Sequence, residues 1–270
     1  MAFSPNLEAN INEASRLSLY LNSKLVLIHV GNASEEKLAK FKSLLKPYTS
    51  QGLQFEIVFK VGKPVEVILQ SIIDSNIDLL LLGALKREKL VKYYLGSIAR
   101  KITRKAKCSI LLLTQPDVNR QLCKHIVVNG LDEEQTEKTI TSAIYMAHKF
   151  GSKSVTIVEE ISNQKLSVIV EDDVSLRKSN IEKAKIKRVE ELRTDAILNK
   201  IPEDYKTNLK IKSQPIFGKS GYSIGHYTEV VRADLLVMNA PNKITLWDRI
   251  FPLDIKYILT ELPSDVLIIR

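Results

Sequence analysis

The sequence contains few of the residues that define cross-linked or metal-binding proteins. Its 270 residues include two cysteines, Cys108 and Cys123, and four histidines, and none has the spacing of a C-x-x-C motif or a metal site. This usage excludes a disulfide scaffold, favours a cytoplasmic location and predicts no metal. No run approaches the roughly 18–20 apolar residues that a membrane-spanning helix needs. The first residues lack a signal-peptide layout, so we expect no membrane span.

Acidic residues are in the minority, and the basic excess is concentrated in one segment. The formal net charge is +9, and residues 86–107 hold nine lysines and arginines against one glutamate. This segment is either a solvated basic helix face or a source of positive potential around an anion site. Aromatic residues make up only 6% of the chain and are not interleaved with these charges, so a nucleic-acid partner is disfavoured.

Apolar strands alternate with amphipathic helices along the first part of the chain. Ser4-Pro5 has the pattern of a helix start, with serine as N-cap and proline in the first turn. This alternation predicts a parallel α/β sheet that is covered on both faces. The predicted strands are Lys24–Val30, Phe55–Phe59, Leu79–Leu82 and Ser109–Leu113.

The stretch from Gly83 to Ser97 has two features of an anion-binding loop. An apolar strand ends in Gly83, and Gly96-Ser97 precedes the next helical pattern. Glycine lets a ligand approach the backbone, and a helix N-terminus offers unpaired N–H groups with a partial positive charge. The alternative is an ordinary strand-to-helix turn with Ser97 as the N-cap.

After the polar residues 114–120 the pattern starts again, which predicts an internal repeat. Gly62-Lys63 recurs 156 residues later as Gly218-Lys219, and the strand ending at Gly83 recurs at the same offset. Lys24–Ile28 recurs only 129 residues later. We therefore predict two domains, at residues 1–115 and 123–270.

The second copy is longer by 27 residues, which fall in the charged region around residues 166–193. We expect this insertion near residues 160–195, with a helix from Ser179 to Ile197 that is either a solvated face or a partner surface. The second copy opens with the strand His125–Asn129, whose counterpart would lie at or before Met1. We expect the first strand of the first domain to be absent, because the sequence is shortened or another segment fills its place.

The order of elements and the spacing of Gly83, Gly96 and Ser97 resemble the universal stress protein family. Leu27–Val30 is similar to the second strand of that family, and Asp78–Gly83 is similar to its fourth. The resemblance covers both copies apart from the insertion. It implies two tandem doubly wound α/β domains of the adenine nucleotide alpha-hydrolase type, each with strand order 3-2-1-4-5. The ligand site would lie at the carboxyl ends of the strands.

The resemblance implies ATP or AMP as the ligand of the first domain. In this interpretation Gly83 lies beside the ribose and phosphates. Gly96, Ser97 and Ile98 hold phosphate through backbone N–H groups and the serine hydroxyl, and Val30 lines the adenine pocket.

Two residues depart from the pattern of the family. Lys86 stands where the family has its second glycine, and it either crowds the phosphates or contacts them through its ammonium group. Ala2 stands where the family has an acidic residue after the first strand. The second copy has lost the motif, since proline offers no N–H and leucine no hydroxyl; its corresponding residues are Asn239, Asn242, Pro252 and Leu253.

Two functional hypotheses follow. In the first, the protein is a cytoplasmic stress-response regulator that binds ATP or AMP in its first domain, without catalytic residues and with at most slow ATP hydrolysis. In the second, it is a scaffold module that binds no nucleotide and acts on a protein partner through the apolar segment 247–253 or the inserted helix. In both, the two domains pair within one chain or the chain forms a homodimer.

Overall fold

The computed structural model describes residues 6–86, 93–119, 123–131, 133–162, 166, 171–219, 222–240 and 258–270, and for Lys86 it describes the backbone alone. The chain divides into two compact units, Met1–Leu122 and Cys123–Arg270. Each unit alternates helices with strands, and the long strands pair in parallel, which confirms the predicted α/β class.

The first unit contains four helices and six strands among its described residues. The helices are α1 (Leu7–Tyr20), α2 (Glu35–Thr49), α3 (Pro64–Asp74) and α4 (Ser97–Lys105). The strands are β1 (Leu25–Val30), β2 (Phe55–Lys60), β3 (Leu79–Gly83), β4 (Leu85–Lys86), β5 (Tyr93–Tyr94) and β6 (Ser109–Leu113).

The strands of the first unit pair in three sets. β1 pairs in parallel with β2, and β3 pairs in parallel with β6. β4 and β5 form a short antiparallel hairpin within the stretch predicted to be a polar loop, which corrects that prediction. In the described residues of this unit no strand joins β1 to β3. The predicted start of α1 at Ser4-Pro5 lies outside the described residues.

Helices α1 and α2 pack through one buried cluster beside β1. Leu7 and Ile11 of α1 meet Phe41 and Leu45 of α2 in this cluster, and all four side chains are buried. Helix α2 begins after Ser34, whose Oγ accepts a hydrogen bond from the backbone N–H of the third helical residue. The helical periodicity of the sequence therefore places the predicted apolar faces against each other.

Four helices and five strands of the second unit have both ends within its described residues. The helices are α5 (Thr136–Phe150), α6 (Asp173–Leu198), α7 (Glu203–Lys206) and α8 (Tyr222–Val230). The strands are β7 (His125–Asn129), β8 (Ser154–Ser162), β9 (Lys210–Gly218), β10 (Leu235–Asn239) and β11 (Asp265–Ile269).

The sheet of the second unit is parallel throughout, with the order β9-β8-β7-β10-β11. β10 and β11 are buried along their whole length, as parallel strands covered by helices on both faces are. Numbered along the unit, the order is 3-2-1-4-5. The strand order reverses between β7 and β10, because the chain proceeds from β7 toward one edge of the sheet and from β10 toward the other. Ligands bind at this point in folds of this kind.

Corresponding strands in the two units keep the sequence offset. β10 begins 156 residues after β3, and β11 begins 156 residues after β6. The extra residues include α6, a helix of 26 residues that begins earlier than predicted. It begins at Asp173 because Asp172 and Ser175 form a reciprocal capping box, in which the Asp172 carboxylate accepts a hydrogen bond from the Ser175 N–H at 2.7 Å.

Candidate functional site

The predicted phosphate-binding residues lie around the start of helix α4. Gly96 is the N-cap residue, with φ −62° and ψ 164°, and Ser97 is the first helical residue. This corrects the alternative in which Ser97 caps the helix. The first helical hydrogen bond runs from the Arg100 N–H to the Gly96 carbonyl at 2.9 Å. Gly96 has no side chain that could accept from the first N–H groups of α4, so these donors are offered to a ligand or to water.

Exposure at this helix start is compatible with ligand access. Ser97 is exposed, and Ile98 retains 46% of its accessible surface. The guanidinium of Arg100 donates a hydrogen bond to the Leu95 carbonyl at 3.2 Å, which keeps a positive charge beside the N-terminus of α4. Both the helix dipole and Arg100 therefore favour an anion at this position.

The hairpin β4–β5 gives Gly96 a packing role as well. A Cβ atom at residue 96 would lie 3.0 Å from Cδ1 of Leu85, so the half-exposed Leu85 side chain would have to move slightly. Lys86 pairs with Tyr93 through the backbone in this hairpin. The predicted roles of the Lys86 side chain and of Ala2 lie outside what the structure describes.

Gly83 ends β3 and faces helix α1. A Cβ atom at residue 83 would lie 3.4 Å from Oδ1 of Asn10, which is an ordinary contact distance. Glycine is therefore not demanded by packing at this position. Asn10 brings an amide group to the carboxyl end of β3, and sequence reasoning missed this residue because its polar character lies within an otherwise amphipathic helix.

Val30 ends β1, so the predicted adenine-lining residue also lies at a carboxyl strand end. It is half-buried, and β1 pairs with β2 rather than with β3. The next residue, Gly31, has a φ of +146°, and its N–H donates to the Lys60 carbonyl at 2.9 Å. Gly62, which lies two residues after the end of β2, also has a φ of +146°. Glycine is needed at both turns because side chains rarely adopt this backbone conformation.

In the second unit, the residue corresponding to Gly83 is a buried asparagine held by its own unit. The Asn239 side-chain amide donates to Glu133 Oε2 at 3.0 Å, and its oxygen accepts a hydrogen bond from the Thr139 hydroxyl. The space beside the end of β10 is thus occupied by paired polar side chains. The other replaced motif residues, Asn242, Pro252 and Leu253, lie outside the described residues, as does the apolar segment 247–253.

At the 129-residue offset, the counterpart of Val30 is a buried carboxyl group. Glu159 of β8 accepts hydrogen bonds from the Thr194 hydroxyl at 2.7 Å and the Ser213 hydroxyl at 3.0 Å. Burial raises the pKa of Glu159, while these two hydroxyls and the positive charge of Arg193 oppose that rise. The position that Val30 occupies in the first unit is therefore part of a polar network in the second unit, where it ties β8 to α6 and β9.

The described part of the chain contains neither a candidate metal site nor a candidate membrane span. Within the described ranges, no group of three or more histidine, cysteine, aspartate and glutamate side chains is arranged to hold a metal ion. None of the described helices is long and apolar enough to cross a membrane.

These features define the class of the protein, which is a doubly wound α/β protein with an uncapped helix N-terminus beside the end of a strand. Residues 12–114 match the sequence model of the universal stress protein family. That match spans most of the first unit and confirms the resemblance for this part of the chain. No curated protein matches the chain.

Solved structures show the same fold over nearly the whole chain. A candidate universal stress protein from Pseudomonas aeruginosa UCBPP-PA14 is similar over 96% of this chain and 87% of its own, with a TM-score of 0.68 and 15% identity. A universal stress protein from Archaeoglobus fulgidus DSM 4304 is similar over 100% of this chain and 96% of its own, with a TM-score of 0.64 and 14% identity. At this level of identity the similarity establishes the fold alone.

Proposed function

We propose that the protein is a cytoplasmic regulator of the stress response whose first unit binds an adenine nucleotide, ATP or AMP. The observation that carries the proposal is the start of α4, where Gly96 leaves the first N–H groups without a side-chain cap and Arg100 adds positive charge. Membership of the first unit in the universal stress protein family supports a role in the stress response.

In this proposal the nucleotide spans the carboxyl ends of the strands of the first unit. The N–H groups of Gly96, Ser97 and Ile98 and the Ser97 hydroxyl receive the phosphates. Gly83 allows the ribose and phosphates to approach the backbone, with the Asn10 amide beside it. Val30 contributes an apolar wall for adenine.

Nucleotide occupancy would act as a signal rather than as a step in turnover. None of the described side chains of the proposed site can serve as a general base, so we propose no catalytic residue and expect ATP hydrolysis to be slow. The expected output of binding is a change in which proteins the chain contacts.

Calorimetry with Ser97→Asp tests this proposal directly. A carboxylate in the first turn of α4 interacts favourably with the helix dipole, so Ser97→Asp should still fold. The carboxylate also repels phosphate, so the variant should bind ATP at least about tenfold more weakly. We expect one ATP per wild-type chain, because Asn239 and its partners occupy the corresponding position of the second unit. Ser97→Asn is the neutral control and should retain most of the affinity. Equal binding by Ser97→Asp and wild type would place the phosphates elsewhere.

The second candidate is a regulatory or scaffold module that binds no nucleotide. It is favoured by the second unit, in which Asn239 and Glu159 are satisfied by hydrogen bonds within the unit. Absorbance at 260 nm separates the two candidates: nucleotide that copurifies with the protein argues against the scaffold. Absence of copurified nucleotide together with absence of heat at millimolar ATP and AMP argues for it.

A further inference from the structure

Helix α6 turns a polar face toward its own unit. The Thr194 hydroxyl donates to Glu159, and the guanidinium of Arg193 donates to the Gly130 carbonyl at 2.5 Å and to Glu190 at 2.9 Å. Thr194 and Glu190 are buried. Hydrogen bonds depend on direction, so these contacts fix the rotation of α6 about its axis.

The opposite face of α6 exposes four large aliphatic side chains. Val174, Ile181, Val189 and Leu192 retain 60%, 58%, 63% and 52% of their accessible surface. Their spacing places them along one side of the helix over about 27 Å. Surface helices normally turn such a stripe toward the core. In α6 these four side chains face outward, whereas the buried side carries three polar residues and one aliphatic residue, namely Ser179, Glu190, Thr194 and Ile197.

Basic residues interrupt this exposed stripe. Lys178 and Lys185 each follow an aliphatic residue of the stripe by four positions, which places them on the same side of the helix, and Arg177 lies beside them. All three are exposed, and none forms an ion pair with any residue that the structure describes. We define the outer face of α6 as Val174, Lys178, Ile181, Lys185, Val189 and Leu192. This face combines apolar surface with positive charge.

We propose that the outer face of α6 is a docking surface for an acidic amphipathic helix of a protein partner. Leucine or isoleucine side chains of such a helix would bury the four aliphatic residues, and its carboxylates would pair with Lys178 and Lys185. The inference does not depend on nucleotide binding by the first unit.

Charge and composition favour an acidic helix over two other possible partners of the outer face, a second copy of the chain and a membrane surface. A second copy of the chain would bring the same lysines together, and like charges oppose such pairing. If the apolar stripe inserted into a membrane surface, the charged Lys178 and Lys185 would enter the apolar layer with it, because they lie within the stripe. Helix α6 also contains no tryptophan, tyrosine or phenylalanine, residues that commonly anchor interfacial helices. An acidic amphipathic helix would bury the aliphatic residues and pair with the lysines at the same time.

The probe is a fluorescein-labelled peptide of three heptads, with leucine at the a and d positions and glutamate at e and g. A matched peptide carries lysine in place of glutamate. Fluorescence anisotropy with the full chain should show binding to the glutamate peptide at least about tenfold tighter than to the lysine peptide. Added salt should weaken the binding, because the lysines are solvent-exposed.

Two double variants assign the binding to the outer face. Ile181→Ser with Val189→Ser should weaken binding of the glutamate peptide about tenfold or more. Lys178→Glu with Lys185→Glu should reverse the preference between the two peptides. Val230→Ser, at another exposed valine of the second unit, is the control and should bind as wild type does. Because all substituted residues are exposed, thermal unfolding should be nearly unchanged.

Several results would overturn the proposal. One is equal affinity for both peptides, or no binding at all. Another is sedimentation of the wild type with vesicles of about 30% phosphatidylserine that Ile181→Ser with Val189→Ser abolishes, which would assign the face to membranes. Self-association of the wild type that the same variant abolishes would assign it to a second copy.

Discussion

At the scale of single residues, Gly31 shows how the end of β1 is constrained. Its φ is +146°, and a Cβ atom there would lie 3.0 Å from Nε2 of His29. The His29 ring is buried and packs edge-on against Phe59, with ring centroids 5.6 Å apart. A side chain at residue 31 would therefore meet both backbone strain and a ring that is held in place.

We expect Gly31→Ala to lower the free energy of unfolding by about 1–3 kcal/mol, measured by urea denaturation. Gly52→Ala is the matched control, because Gly52 also has a positive φ, of +92°, but a Cβ there meets no atom within 4 Å. Its loss should be smaller, since it reports backbone strain alone. Equal losses in the two variants would show that the contact with His29 contributes nothing.

Glu159 gives the second unit a pH-dependent stability. Burial raises its folded pKa above the unfolded value, so the native state holds the proton more tightly. The stabilising contribution of the protonated form is therefore fully present below the ordinary glutamate pKa. It is lost as the pH rises from there through the raised value. The Thr194 and Ser213 hydroxyls and Arg193 limit the rise without reversing its direction.

We expect Glu159→Gln to flatten this part of the stability curve. Glutamine keeps an oxygen that accepts from Thr194 but does not ionise, so the variant should gain stability relative to the wild type as the pH rises above the ordinary glutamate pKa. Urea denaturation at several pH values measures it. Glu203→Gln, at an exposed position, should run parallel to wild type. A parallel curve for Glu159→Gln would contradict the raised pKa.

At the scale of elements, the hairpin β4–β5 links the end of β3 to the start of α4. Leu85 of β4 lies against Gly96, and the Lys86 backbone pairs with Tyr93. Residue 86 therefore belongs to the hairpin that precedes the N-terminus of α4 in the chain. The sequence alone leaves two roles for Lys86, crowding of phosphates or contact through its ammonium group.

We expect Lys86→Gly to weaken ATP binding about three- to tenfold, because the substitution removes a positive charge near the phosphates. The loss should be larger for ATP than for AMP, since ATP carries more phosphate charge. Titration calorimetry at two salt concentrations measures it, and Lys105→Gly, at the far end of α4, is the control for net charge. Tighter binding would favour crowding, and unchanged binding would exclude this hairpin from the site.

At the scale of the whole molecule, the two units have residues of different polarity at corresponding strand ends. The first unit has Val30 and Gly83 at its strand ends, whereas the second has Glu159 and Asn239, both buried and hydrogen-bonded within the unit. The expected stoichiometry of one ATP per chain follows from this difference. Two nucleotides per chain would require the Asn239 network to open.

Local periodicity in the sequence predicted much of the fold. Apolar runs of β-branched and leucine residues located β1, β2, β3 and β6. These features depend on residues close together in the chain, so the alternation of side chains records them. The glycine spacing identified the family of the first unit in the same way.

The tertiary structure decided what local pattern could not. Gly96 rather than Ser97 is the N-cap, Asn10 lies beside Gly83, and α6 faces its unit with Thr194 rather than with its valines. The second and third of these features depend on contacts between residues far apart in the chain. The sequence alone determined β1, β2, β3, β6 and β7, but neither the hairpin β4–β5 nor the start of α6. Tertiary contacts decided which face of α6 is buried, because a few directional hydrogen bonds can outweigh the preference of an apolar stripe for the core.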